Sequence, residues 1–267
     1  MREAKRFDAA TGQLAFYRRA ATADFWDDHW ENIAARAQYT KPPRRGTFVT
    51  KITQRHLSRG ARVLEGGCGL AVNSWHLRAL GYDAVPLDFA SRTIAFLDEK
   101  APELHAIQGD VRALPFEDAS FDGYWSLGVI EHFPEGYDAI ADEMHRVLKI
   151  GGKLFLTFPY MSPMRKALAR AGFFRREDGS SSDGDFFQFA LDHEKVAKSF
   201  ERRGFRVVDV VPHLGLSGLE DTFPVLERPL ARVRKGPRPV RAVAGLVNRG
   251  LEPLTSHVVL LVLERTR

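Results

Sequence analysis

The stretch Arg62-Val63-Leu64-Glu65-Gly66-Gly67-Cys68-Gly69-Leu70-Ala71 constrains the fold more than any other part of the chain. Val63 and Leu64 read as the end of a short buried strand, and Gly66, Gly67 and Gly69 let the backbone turn tightly and lie close to a ligand. The next run, residues 72–80, places Leu77 and Leu80 at helical spacing and stops at Gly81, a residue suited to the position after a helix. The expected order is strand, glycine loop, helix. That layout presents backbone N–H groups and a helix N-terminus to whatever fills the loop, as nucleotide-type ligands require.

The loop departs from the dinucleotide fingerprint G-x-G-x-x-G, because Val72 stands where the third glycine would fall, counting from Gly67. Glu65 precedes Gly67 by two residues and gives the order Glu-x-Gly-x-Gly-x-Ala. This resembles the first motif of the class I S-adenosylmethionine-dependent methyltransferases, with Ala71 in place of the last glycine. The resemblance implies S-adenosyl-L-methionine as cofactor, with Gly66, Gly67 and Gly69 around it and Glu65 orienting its methionine end.

The rest of the chain is compatible with one α/β domain. Its 267 residues can bury a sizeable core. The start, Met1-Arg2-Glu3-Ala4-Lys5-Arg6, leads into no apolar run of the length a signal or a membrane span needs, so a cytoplasmic protein is expected. A single cysteine, Cys68, cannot form an internal disulfide. A net charge of +5 does not by itself call for a nucleic-acid partner.

Before Gly46 the chain is polar and Arg-rich, with Phe25, Trp26, His29, Trp30 and Ile33 on one helical face. Residues 1–46 are therefore expected to form a helical cap or lid, with 41–46 as connector, and residues 47–267 the main domain. From Ala61 onward strands alternate with helices. The expected fold is a Rossmann-like, doubly wound, seven-stranded and mostly parallel sheet. Its strands fall at the glycine loop and at 84–87, 104–108, 121–127, 153–158, 206–211 and 257–264, with Ser91 capping a helix that runs to Lys100. Pro86 suggests a strand end or edge. Insertions are expected at about 159–192, read as a long loop with a polar tip at 179–184, and at about 213–255.

Asp88 ends the second strand about 20 residues beyond the glycine loop, where a doubly wound fold places the acidic group that accepts from ribose hydroxyls. A turn or cap role is its plainer alternative. The resemblance makes Asp88 the ribose ligand, with Phe89 beside the adenine, Asp110 near the adenine amino group and Val111 against the ring. Ser126 and Leu127 resemble the family's fourth motif beneath the cofactor. Three acidic residues at the carboxyl ends of three successive strands converge on the crevice where open α/β sheets bind ligands.

No metal cluster is expected, and methyl transfer asks mainly for alignment of acceptor and methyl group. His132 is the candidate base, with an intrinsic pKa near neutrality, and Glu131 could orient it or bind the acceptor. Trp26, Trp30 and Phe187 are candidate lid and substrate contacts, with a core role as the alternative for Phe187. The basic run from Arg228 to Arg241 and the apolar spacing after it fit a solvated loop followed by a packed helix; the other readings are an anionic membrane surface and, with no binding module beside the run, nucleic acid. The expected function is transfer of a methyl group to a small-molecule acceptor, a hydroxyl in the first instance. Its rivals are an NAD(P)-dependent oxidoreductase, disfavoured by Glu65 and Val72, and a non-catalytic S-adenosylmethionine-binding protein.

Overall fold

A computed structural model describes residues 4–36, 46–177 and 184–267. Apart from Gly46 and Gly184, the expected connector at 41–46 and the polar tip at 179–184 lie outside the described residues. The chain begins with a hairpin, β1 (Ala4–Asp8) and β2 (Gln13–Arg18), then α1 (Ala23–Arg36) and α2 (Phe48–His56). The central alternation follows as β3 (Arg62–Gly66), α3 (Val72–Ala79), β4 (Asp83–Asp88), α4 (Ser91–Lys100), β5 (Ile107–Gln108), β6 (Phe121–Leu127), α5 (Asp138–Val147) and β7 (Leu148–Pro159). After it come α6 (Pro163–Arg170), β8 (Arg175–Arg176), β9 (Asp185–Ala190), α7 (His193–Arg202) and β10 (Phe205–His213). The chain ends with α8 (Gly215–Thr222), α9 (Glu227–Lys235), α10 (Arg238–Thr255) and β11 (Val258–Arg265).

The main sheet has seven strands in the order β10-β11-β7-β6-β3-β4-β5. β3, β4, β5, β6 and β7 run parallel, and β11 is antiparallel to both β7 and β10. The central strands are apolar on both faces because helices cover both sides; Val63, Leu64, Tyr124, Trp125, Leu154, Phe155 and Leu261 are all fully buried. Pro86 sits where its lack of an N–H costs nothing. β5 pairs only with Leu87 and Asp88, so the outer side of β4 at Pro86 is an edge. The third strand is shorter than expected, since residues 102–104 form a 3-10 turn instead of extended chain.

The N-terminal segment is the largest departure from the sequence reading. Instead of a helix alone, it opens with the β1–β2 hairpin, which joins β8 and β9 of the 159–192 insertion in a second sheet ordered β8-β1-β2-β9. The hairpin turn is set by Asp8, whose carboxylate accepts from Ala10 N–H and Thr11 Oγ1, and by Gly12 at φ 72°. Leu14 and Phe16 alternate inward and are buried with Met161 and Phe174. The insertion is thus a helix and two strands closing a separate small core, not a long loop. The second insertion is likewise helical throughout, and the basic run lies on α9 and the start of α10 instead of in a solvated loop.

The helix α1 is tied to the main domain by a shared cap. α4 begins after Ala90, which has no side-chain oxygen to offer, and Ser91 is its first helical residue and not its cap. The missing acceptor comes from across the fold: buried Asp27 of α1 accepts from Thr93 N–H at 2.8 Å, Thr93 Oγ1 at 2.8 Å and Arg92 N–H at 3.3 Å. Arg92 pairs in turn with Asp28 at 2.7 Å and Glu31 at 3.0 Å. Asp27→Ala should therefore remove a helix cap and loosen α1 together, costing about 0.5–2 kcal/mol. Urea unfolding measures it; stability equal to that of the unaltered protein would show that α4 does not depend on this carboxylate.

Candidate functional site

The glycine loop is held by two carboxylates. Asp88, at the end of β4, is buried, and its oxygens accept from Gly69 N–H at 2.8 Å and Ala90 N–H at 3.0 Å. Burial pushes the Asp88 carboxyl upward, opposed by these N–H bonds. Glu65 is also buried and accepts from Ser74 N–H at 2.9 Å, Ser74 Oγ at 2.5 Å and Asn73 Nδ2 at 3.0 Å, which supplies acceptors to the first turn of α3. α3 needs that help. Its cap position is Ala71, at φ 50°, a left-handed conformation that costs a non-glycine residue about 1–2 kcal/mol. The glycines answer to close packing: a Cβ on Gly67 would meet Val129 Cγ2 at 2.6 Å, and one on Gly69 would meet the Trp30 ring at 2.4 Å.

Two adjoining cavities open at the carboxyl ends of the strands. The first, about 360 Å³, is walled by Trp26 and Trp30 of α1, Gly67, Asp88 and Phe89, Asp110 and Val111, and Leu127, Gly128, Val129 and His132. Its size falls in the range of small-ligand sites. Of the residues expected there, Gly67, Asp88, Phe89, Asp110, Val111 and Leu127 reach it together with Trp26 and Trp30. Glu65, Gly66, Gly69 and Ser126 are not among its walls; Glu65 and Gly69 hold the loop from behind it. Asp110 is at the rim, bonded to Arg112 at 2.7 Å, and that guanidinium holds its carboxyl below the ordinary range. Arg112 itself is a wall residue that no motif marked.

The second cavity, about 400 Å³, shares Trp26, Gly128 and His132 with the first and is otherwise lined by Arg18, Glu131, Thr157, Phe158, Pro159, Phe187, Gln188, Asp221, His257 and Val258. It lies where the small sheet meets the large one. His132 and Phe187 pack edge to face at 4.9 Å, Trp26 packs against His132 at 5.0 Å, and the Arg18 guanidinium covers the Phe187 ring at 3.4 Å. Phe187 is therefore both buried and part of the wall. His132 Nδ1 lies 2.8 Å from the Phe187 carbonyl oxygen. A carbonyl can only accept, so Nδ1 carries the proton and Nε2 keeps its lone pair. Burial pushes His132 down to about 4 and raises Glu131 to about 8. At neutral pH the pair is thus a neutral imidazole beside a neutral carboxylic acid, and Glu131 Oε2 has no hydrogen-bond partner among the described residues. Arg18, Asp221 and His257 come from β2, α8 and the residue before β11; no local spacing announces them, because only the tertiary fold brings them together.

Comparison with known proteins agrees with this geometry. Residues 64–156, from β3 into β7, match the family model of the methyltransferase domain. Malonyl-acyl-carrier-protein O-methyltransferase of Enterobacter lignolyticus is 33% identical over 99 residues, which are 37% of this chain and 39% of that protein. Demethylmenaquinone methyltransferase of Renibacterium salmoninarum is 36% identical over 40% of this chain and 46% of its own length. Ubiquinone biosynthesis O-methyltransferase of Xanthomonas oryzae is 35% identical over 42% of this chain and 49% of its own length. The chain thus spans less than half the length of these curated relatives. Among solved structures, the cyclase SpnF is similar over 93% of this chain and 98% of its own, with a TM-score of 0.57 and 18% identity. A TehB-like S-adenosylmethionine-dependent methyltransferase from Corynebacterium glutamicum covers 91% of this chain and 97% of its own at a TM-score of 0.53 and 16% identity. These two likenesses establish the fold. The glycine loop and the strand-end carboxylates Asp88 and Asp110 thus lie inside the stretch, residues 64–156, that matches the methyltransferase domain.

Proposed function

We propose that the first cavity holds S-adenosylmethionine and that the protein transfers its methyl group to an oxygen of a small molecule bound in the second. The observation that carries this reading is the junction of the two cavities at Trp26, Gly128 and His132. Gly67, Asp88, Phe89, Asp110 and Val111 would hold the cofactor: a buried carboxylate for hydroxyls, an exposed ring and an apolar side chain for a base, and a rim carboxylate for an amine. When bound, the cofactor supplies an electrophilic methyl group on a sulfonium and keeps the electron pair of the broken carbon–sulfur bond.

The protein's own residues place the acceptor and take its proton. As the acceptor oxygen gains the methyl group it loses its hydrogen, and His132 Nε2 is the lone pair at the junction positioned to receive it. A base pushed down to about 4 is weak, which suits an acceptor whose O–H is already acidic, such as a phenol, an enol or a carboxylic acid. Trp26 and Trp30 close the crevice against water, and the Asp27 cap holds them there. The matched relatives include proteins named as O-methyltransferases, which supports oxygen as the methylated atom. The oxidoreductase reading finds no support in the matched domain. The fold alone does not decide activity, since the cyclase SpnF has it too, so turnover is the decisive assay.

Incubation with S-adenosylmethionine and a panel of phenols, catechols and carboxylic acids should release S-adenosylhomocysteine; tight cofactor binding with no release across the panel would favour a binding protein. In calorimetry, Asp88→Asn should weaken S-adenosylmethionine at least about tenfold, since hydrogen bonds to a charged acceptor contribute about 1.5–3 kcal/mol each. Unchanged affinity would remove Asp88 from the site. Glu131 gives a pH test. The folded protein holds its proton to about pH 8, whereas an ordinary glutamate releases it near 4.5. Its contribution to stability is therefore complete below about 4.5 and is lost as pH rises through 8. Melting temperatures of the unaltered protein should fall relative to Glu131→Gln between about pH 5 and about pH 9, and parallel curves would mean that Glu131 is not buried as a neutral acid.

A further inference from the structure

His257 is a wall residue of the second cavity that neither the sequence motifs nor the proton transfer above uses. It follows α10 and directly precedes β11, and its backbone is fixed by Tyr160 N–H, which donates to its carbonyl at 3.1 Å, and by its own N–H, which donates to Leu214 O at 3.2 Å. Its ring is fixed as well. Arg165 of α6, fully buried, points Nη2 at His257 Nδ1 at 2.9 Å and at Asp221 Oδ2 at 2.5 Å, while its Nη1 donates to Tyr160 O at 2.8 Å.

A guanidinium has no acceptor, so His257 Nδ1 must present its lone pair to Arg165, and in the neutral ring the proton resides on Nε2. The charges around the ring keep it neutral. Arg165 Nη2 and Asp221 Oδ2 both face Nδ1, at 2.9 and 3.9 Å, and Asp221 Oδ2 is already held by Arg165 and Lys5 at 2.5 and 3.0 Å. Burial and Arg165 push His257 down to about 4.

His132, across the same cavity, is fixed in the opposite tautomer, because its Nδ1 meets a carbonyl oxygen instead of a guanidinium. Neither Nε2 has a hydrogen-bond partner among the described residues. One cavity is therefore furnished with a histidine that can only accept and a histidine that can only donate. A lone hydroxyl satisfies the first and leaves the second without a partner from the ligand.

Building on the methyl-transfer reading, we propose that the acceptor carries two neighbouring oxygens. One is an ionisable hydroxyl whose proton passes to His132. The other is a carbonyl, carboxyl or second hydroxyl oxygen that accepts from His257 Nε2–H. His257 is in this scheme a specificity residue, and Arg165 positions it by fixing its tautomer.

Two measurements test this. Long-range proton–nitrogen spectra of histidine-labelled protein, assigned with His132→Gln and His257→Gln, should show His132 protonated on Nδ1 and His257 on Nε2 at neutral pH. The same tautomer in both, or a charged His257, would overturn the proposal without any ligand present. Titration of catechol and of phenol into protein saturated with S-adenosylhomocysteine should then show catechol binding about tenfold tighter. The preference should survive in His257→Gln, which keeps an N–H at the same reach, and vanish in His257→Phe. Equal affinity for the two probes, including none for either, or a preference that persists in His257→Phe, overturns it. Failure of S-adenosylhomocysteine to bind at all would instead count against the methyltransferase reading, and the nitrogen spectra would still decide the tautomers.

Discussion

The carboxylate of Asp88 is the fixed point of this molecule. One oxygen takes the N–H of Gly69 in the glycine loop and the other the N–H of Ala90 at the start of α4, so a single buried group joins the loop, the end of β4 and the next helix. The bonds cost the group part of its acceptor capacity and in return oppose the upward shift that burial gives its carboxyl. Glu65 does the corresponding work for α3 through Ser74 and Asn73. The first cavity exists because these two carboxylates hold backbone N–H groups in place behind it, not because the loop is flexible. Asp27 extends the same device to the N-terminal helix, which brings Trp26 and Trp30 over the crevice by capping α4 from outside.

Much of this was legible in the sequence because it is local. The glycine loop, the carboxylates ending β4 and following β5, and the apolar runs of β6, β7 and β11 depend on spacings of a few residues; the structure has β6 at the expected residues, β11 one residue later and β7 starting five residues earlier. What escaped depends on partners distant in the chain. Gln13 to Arg18 carries an alternating pattern, but the hairpin becomes a sheet only by pairing with Asp185 to Ala190, more than 160 residues away. Ser91 looked like a cap because Ser is a good one; the carboxylate of Asp27 satisfies the same N–H groups from a position 65 to 66 residues earlier. Pro86 was readable because proline's missing N–H is a local fact with a local consequence.

The site follows the same division. The residues of the first cavity come from strand ends adjacent to motifs, and most of them were named from the sequence. Those of the second come from β2, α1, β7, β9, α8 and the start of β11, as well as the turn after β6, and only Trp26, Glu131, His132 and Phe187 were foreseen. Arg18, Asp221 and His257 have no signature because their roles are set by what faces them. His257 presents a donor only because Arg165 occupies its other nitrogen, and His132 presents an acceptor only because the Phe187 carbonyl occupies its own. The second cavity, proposed above as the acceptor site, is lined largely by the elements that decorate the central sheet.

The most direct measurement is a structure of the protein with S-adenosylhomocysteine. The nucleoside should lie in the first cavity with both ribose hydroxyls on Asp88 and the base between Phe89 and Val111, and the sulfur should face the junction formed by Trp26, Gly128 and His132. A nucleoside bound elsewhere, or a sulfur turned away from that junction, would contradict the division of the site into a cofactor cavity and an acceptor cavity.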